Sequence, residues 1–391
     1  MTGNLWRLAL AQGVFLTNNV TFIGINGLVG LQLAPYGWMA TLPIMGYVVG
    51  SALSTGLVAR SQRAWGRQRS FQLGLVVAIV SALMAALATV WQSFELLLLA
   101  TVVAGYYSAN AQLYRFAAAE LAQPDKKEKA ISLVLTGGLV GAVFGPNMAA
   151  YTRNWLDTPF TGVYLALAAV GVFGLVLMHF ITFTPTPPKA PGDAEARPLS
   201  VIVRQPVFVV AAMAGALGYG VMNLLMAATP LAMQVCSLPF DDIALVLEWH
   251  VIGMFAPGLF TGYLIKRFGV YRIMGVGVVL NVACVAIALS GVALSQFVVS
   301  LFLLGVGWNF LFTGSTTLSL QAYAPQERDQ AQAALNFAVF AVMALTSFGA
   351  GALVTTQGWQ WINLASLLPL IMVAVGLVWL AKQPVAPTPA A

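Results

Sequence analysis

Apolar stretches of about 20 residues recur along this chain, separated by short polar breaks, and each is long enough to cross a bilayer as a helix. Read with a window suited to membrane spans, they fall near 5–28, 38–59, 70–91, 94–117, 130–151, 160–183, 206–235, 242–265, 270–291, 296–321, 331–354 and 360–381. The pattern predicts an all-α membrane protein of twelve spans. The first run carries Asn18, Asn19 and Asn26 and leads directly into a second span, so it is expected to stay in the protein rather than be cleaved as a signal peptide.

Composition agrees: 60% of the 391 residues are hydrophobic and only 8% are charged. The net charge of +6 would fit nucleic acid if it were clustered, but it is sorted by side instead. With the N-terminus in the cytoplasm, Arg7, Arg60, Arg63, Arg67, Arg69, Arg115, Lys126, Lys127, Lys129, Lys189, Arg197, Arg204, Lys266, Arg267, Arg272, Arg328 and Lys382 all fall on the inner side. Only Arg153 falls outside. This is the positive-inside bias; it predicts a bacterial inner membrane protein with both termini cytoplasmic and no nucleic-acid partner. Cys236 and Cys284 have no spacing that would make a disulfide framework or a zinc site.

A proline- and charge-rich stretch after span six reads as a linker, 184–205, between an N-terminal half, 1–183, and a C-terminal half, 206–391. The halves match in order. Thr55 and Gly56 pair with Thr261 and Gly262, Gly66 with Gly269, and the stretch from Glu120 to Pro124 with that from Gln321 to Pro325. Parallel six-span repeats are one way a transporter builds a pathway between its halves. The segment Gly262, Lys266, Arg267, Gly269 resembles the GxxxDRxG loop motif of the major facilitator superfamily, and its first-half copy lies between Gly56 and Arg69. The motif's Asp is missing from both copies. Gly141, Gly145 and Pro146 resemble the GxxxGP element common in the same superfamily. The resemblance implies two pseudo-symmetric six-helix bundles, usually acting as a monomer, with no resident cofactor and no catalysis.

Spans three, six, nine and twelve are almost purely aliphatic and are expected to face lipid. Polar residues gather in span one (Thr17, Asn18, Asn19, Asn26), span four (Tyr106, Tyr107, Asn110) and span ten (Trp308, Asn309, Thr316). Buried polar groups in a bilayer either line water or bond a neighbouring helix, so these spans are candidates to border a cavity. Glu248 is the one acidic residue well inside a span, which makes it a candidate for ion coupling.

A second candidate chemistry is soft. Met222 and Met226 share a face of span seven, and His250 and Met254 share a face of span eight. Counted from the outer ends, Met226 lies about 15 Å deep and Met254 about 18 Å, so the two pairs could converge near the midplane. Neutral thioethers and one imidazole select Cu(I) over hard cations, and import of a monovalent cation gains about 2.3 kcal/mol per 100 mV of potential. Each methionine has an equally ordinary role as flexible packing. Met233 and Cys236 stand nearby as possible accessory ligands.

MxxxM in span seven followed by HxxxM in span eight resembles the CcoA-like branch of the major facilitators. That resemblance implies copper import for cytochrome oxidase assembly, with Met222, Met226, His250 and Met254 as ligands to copper in transit. Riboflavin transporters are related to this branch. For them Asn18, Tyr106, Tyr107, Asn110, Trp308 and Asn309 would stack on and hydrogen-bond a flavin ring. A drug or metabolite exporter is a further possibility, and a non-transporting sensor is the alternative from another class. The absence of HExxH and of paired intramembrane carboxylates argues against a membrane-embedded enzyme.

Overall fold

Hydrocarbon offers a peptide group no hydrogen-bond partner, so the apolar runs fold into helices that satisfy their own backbones. The computed structural model describes residues 3–123, 127–183, 197–324 and 327–383, and among these no strand occurs. Lys126, Lys189, Pro124, Pro325 and linker residues 184–196 lie outside them.

The spans are α1 (Gly3–Leu33), α2 (Gly37–Gln62), α3 (Ala64–Val90), α4 (Phe94–Ala111), α5 (Leu133–Thr152) and α6 (Thr161–His179) in the first half. The second half holds α7 (Pro206–Val235), α8, α9 (Val270–Ser290), α10 (Leu294–Ser319), α11 (Gln330–Thr356) and α12 (Trp359–Ala381). Span α8 is broken into Phe240–Phe255 and Gly258–Phe268, bent by 41°. Pro257 stands at the break, where its missing N–H interrupts the helical ladder. The carbonyl of Met254, freed there, accepts instead from the Asn309 amide of α10 at 2.7 Å. Thr261, beyond the break, donates to the same Asn309 side chain at 2.7 Å. One amide thus braces both segments.

The two-fold repeat is visible in the backbone. Gly66 and Gly269 hold matching turns, with φ 76°, ψ 171° and φ 87°, ψ 149°, a region that favours glycine. Helix crossings repeat as well. A Cβ on Gly105 of α4 would drive into the backbone of Gly50 and Ser51 in α2; one on Gly305 of α10 would drive into that of His250, Gly253 and Met254 in α8. These contacts tie α2 to α4 and α8 to α10 at backbone distance. Spans α7 and α11 pack together in the same way that α1 and α5 do.

The end bearing Arg60, Arg67, Lys266 and Arg272 is here called the basic end, and the opposite one the far end. Hydrogen bonds and ring contacts between the halves gather at the far end. Thr41 of α2 donates to the carbonyl of Ser347 and accepts from the Gly351 N–H, both on α11. Asn147 of α5 donates to Glu248 of α8 at 2.7 Å. The Arg153 guanidinium lies over the Phe160 and Phe240 rings at 5.3 and 4.7 Å, bridging the halves. Gly24 and Gly27 of α1 admit Leu247, Ala227 and Leu231 from the second half. At the basic end, by contrast, a Cβ on Gly56 or Gly262 would meet nothing within 4 Å. The polar and ring contacts between the halves thus concentrate at the far end, among the described residues.

Each half carries its own ion pair at the basic end. Arg67 pairs with Glu120, and Arg197 with Glu327. The second pair moves a boundary: residues 197–205, read from sequence as linker, are part of the second half's surface. Glu327, 2% exposed, accepts from the backbone N–H and guanidinium of Arg197 and from the Ala324 N–H. Ile202 is buried against Phe208, Ala322, Ala331 and Leu335.

Two predictions follow from these contacts. Gly305→Ala should destabilise the detergent-solubilised protein by about 1–3 kcal/mol, because backbone cannot yield there, whereas Gly275→Ala, with nothing within 4 Å, should be neutral. Thermal unfolding followed by size exclusion reads both. The Arg197 guanidinium holds the Glu327 carboxyl down at about 2. A depressed carboxyl stabilises above its ordinary range and loses that contribution as pH falls from about 4.5 toward 2. Glu327→Gln should therefore lower Tm by a few degrees at neutral pH, with the gap to wild type closing across that acid window.

Candidate functional site

The soft-ligand residues are all buried: Met222 3% exposed, Met226 4%, His250 0% and Met254 6%. Spans α7 and α8 are consecutive but touch little; α8 packs chiefly on α10, and α7 on α11 and α10. His250 accordingly faces α10, its Nδ1 at 2.7 Å from the Leu301 carbonyl. A carbonyl only accepts, so Nδ1 carries the proton and Nε2 presents a lone pair. That Nε2 is buried without a partner among the described residues. From Gly220 to Met233 every residue of α7 is buried, which encloses Met222, Met226 and Met233 in helix packing. Cys236, half-buried, caps the far end of α7.

Glu248 is not isolated. Its bond to Asn147 crosses between the halves, which makes it one of the far-end contacts. Of the motif residues, Gly262 and Arg267 lie on the second segment of α8. Gly269 makes the turn from α8 to α9, and Gly262 faces open space. In place of the missing acid, Arg267 rests on its own segment, 3.4 Å from the Tyr263 hydroxyl and over the Phe268 ring at 5.2 Å.

The polar spans divide into glue and lining. Asn309 is the brace of α8 described above. Asn110, 1% exposed, donates to the Ser70 carbonyl of α3 at 2.8 Å. Tyr106 donates to Ser61 of α2 at 3.1 Å. Tyr107 is 1% exposed and packs edge-on against Phe15 of α1, 5.6 Å between centroids. Asn309, Asn110 and Tyr107 are buried between helices, while Tyr106 is half-buried. Asn18 is buried, with its carbonyl oxygen unpartnered. Asn19 is half-buried, and its amide donates to the Tyr47 hydroxyl at 3.1 Å.

Trp308 belongs to a set that sequence patterning missed. Its ring stacks on Phe312, one turn along α10, at 5.1 Å and 11°. Tyr219 of α7 stands edge-on to both, at 5.2 and 5.4 Å. Phe255, at the break of α8, lies 6.0 Å from Trp308. Tyr219, Phe255 and Phe312 are each half-buried, and Tyr219 is the last residue of α7 with open surface before that buried run. Trp308 itself is 5% exposed, so the open surface of this set belongs to Tyr219, Phe255 and Phe312. The legible signal was the Trp308 and Phe312 spacing of four, which continues to the exposed Thr316.

The profile of the Major Facilitator Superfamily matches residues 8–256 and 219–391. The riboflavin transporter RfnT of Brucella anthropi is 37% identical over 366 residues, 92% of this chain and 91% of that protein. Among solved structures, a bacterial homologue of the human lysosomal transporter Spinster, inward-facing and occupied, aligns at TM-score 0.75 and 15% identity, covering 98% of both chains. A mutant of the nucleoside transporter NupG aligns at 0.74 and 12% identity, over 97% of this chain and all of that one. Family profile, repeat and span count agree: the chain belongs to the Major Facilitator Superfamily and is a membrane transporter of twelve helices.

Proposed function

We propose that this transporter moves a flat heteroaromatic solute of the riboflavin class across the bacterial inner membrane, with its basic end and both termini in the cytoplasm. The observation that carries the reading is the aromatic set Tyr219, Phe255, Trp308 and Phe312 beneath the far-end seal. Each well-placed aromatic pair is worth about 0.5–1.5 kcal/mol beyond burial, and several together hold a ring without a charge. Identity of 37% to RfnT along nearly the whole chain supports the same solute class. Basic residues at the open end fit the cytoplasmic side. In this conformation the solute would exchange with the cytoplasm.

Import of Cu(I) is the second reading, and one feature favours it. The unpartnered Nε2 of His250 is a buried lone pair one turn from Met254. Soft neutral donors of this kind select Cu(I). Against it stands the near-complete burial of Met222 and Met226 in helix packing, at 3% and 4% exposed.

Cells lacking their own riboflavin and copper importers separate the two. With labelled riboflavin, wild type should accumulate the vitamin, Trp308→Leu should cut uptake by about tenfold or more, and Met226→Leu should leave it near wild type. Copper accumulation that collapses in Met226→Leu and His250→Ala, without riboflavin uptake, would overturn the flavin reading in favour of the metal.

A further inference from the structure

Span α1 is the most enclosed helix of the bundle, and from Ala11 to Gly30 every residue is buried except Asn19. Its neighbours there are α2, α4, α5, α6, α7 and α8, so α1 does not meet lipid along this stretch. The surface left open at Asn19 therefore belongs to the space between the halves. At 1.5 Å per residue, Asn19 lies about 24 Å along α1 from its basic end, and Tyr219 about 20 Å along α7. The two stand at similar depth on the two halves.

The side chain is also held. One amide hydrogen of Asn19 goes to the hydroxyl of Tyr47, which is 2% exposed and packed against Phe22 at 5.7 Å. No other hydrogen bond of that amide is made among the described residues. Its carbonyl oxygen and second N–H are left for a ligand. A carboxamide offers an acceptor and a donor side by side, in one plane. The complementary edge on a ring is an N–H next to a C=O, as in an imide or lactam. A flavin ring carries such an edge at its pyrimidine end, an N–H between two carbonyls, while its other end is apolar.

We propose that Asn19 is a specificity-determining residue that reads the imide edge of the solute, with Tyr47 as the positioning residue that fixes its amide. The inference rests on the flavin-class reading above and deepens it. The aromatic set takes the face of the ring and accepts many flat molecules; the amide admits those with a matching edge. A site built to hydrogen-bond a solute group discriminates strongly against the analogue that lacks it, because the buried partner is then left unpaired.

The full chain in proteoliposomes provides the test, with uptake of labelled riboflavin competed by unlabelled riboflavin or by its N3-methyl derivative, in which the imide hydrogen is replaced. Wild type should prefer riboflavin by about tenfold or more. Asn19→Ala should raise KM for riboflavin about tenfold with kcat largely kept, and bring the preference close to one. Tyr47→Phe, which removes only the anchor, should lower the preference part of the way. If wild type moves riboflavin but does not discriminate, or if Asn19→Ala keeps the full preference, the assignment of Asn19 is overturned and the flavin reading stands. If wild type moves no riboflavin at all, both are overturned. Elution of each variant as a monodisperse peak separates loss of recognition from loss of fold.

Discussion

The fold depends on the bilayer's refusal to hydrogen-bond a stray peptide group. Once every backbone must satisfy itself, the chain becomes a set of helices, and what remains to be specified is how closely they approach. In this protein the closest approaches use glycine. Gly50 against Gly105 and Gly253 against Gly305 bring backbones into direct contact, and they do so at equivalent places in the two halves. Between lipid-soluble helices there is no hydrophobic drive to associate, so packing of this kind carries much of the cohesion. Where the ladder does fail, at Pro257, a buried amide from the next helix fills the gap.

From those crossings the working geometry follows. Fixing α10 against α8 stacks Trp308 on Phe312 and places Phe255, at the break, beside Trp308. Within the first half, fixing α4 against α2 leaves Tyr47 to support Asn19. Above these groups the seal is built from small residues, two interhelical hydrogen-bond sites and the Arg153 clasp over Phe160 and Phe240. Below them Gly56 and Gly262 face open space. The seal's components are short-range contacts between otherwise rigid bundles, the kind of interface that can be exchanged for one at the opposite end as the halves rock.

Much of this could be read in the sequence, and the part that could not has a physical reason. Span positions, the sorting of basic residues and the repeat depend on composition and local order, and Gly66 and Gly269 do occupy equivalent turns. Helix periodicity gives the face a residue occupies but not the neighbour that face meets. Periodicity puts Met222 and His250 on faces of consecutive spans; the structure adds that α8 packs chiefly on α10, where His250 Nδ1 meets the Leu301 carbonyl. Asn110 and Asn309 have the composition of cavity residues and the position of glue. The reverse error hid Tyr219, Phe255 and Phe312, since an aromatic residue in an apolar span carries no mark of whether it faces a neighbour or a cavity. Arg153, the single basic residue on the far side, did stand out, and the structure gives it a clasp between the halves.

The central claim is that a flat ring stacks between the halves on the aromatic set of α7, α8 and α10. Flavin fluorescence reports it directly, because stacking against an indole quenches the ring's emission. Riboflavin titrated into the purified protein in lipid nanodiscs should show saturable quenching that is abolished in Trp308→Leu and unchanged in Met222→Leu. Saturable quenching that survives loss of Trp308, or its absence from wild type alongside tight Cu(I) binding that needs His250, would contradict the account.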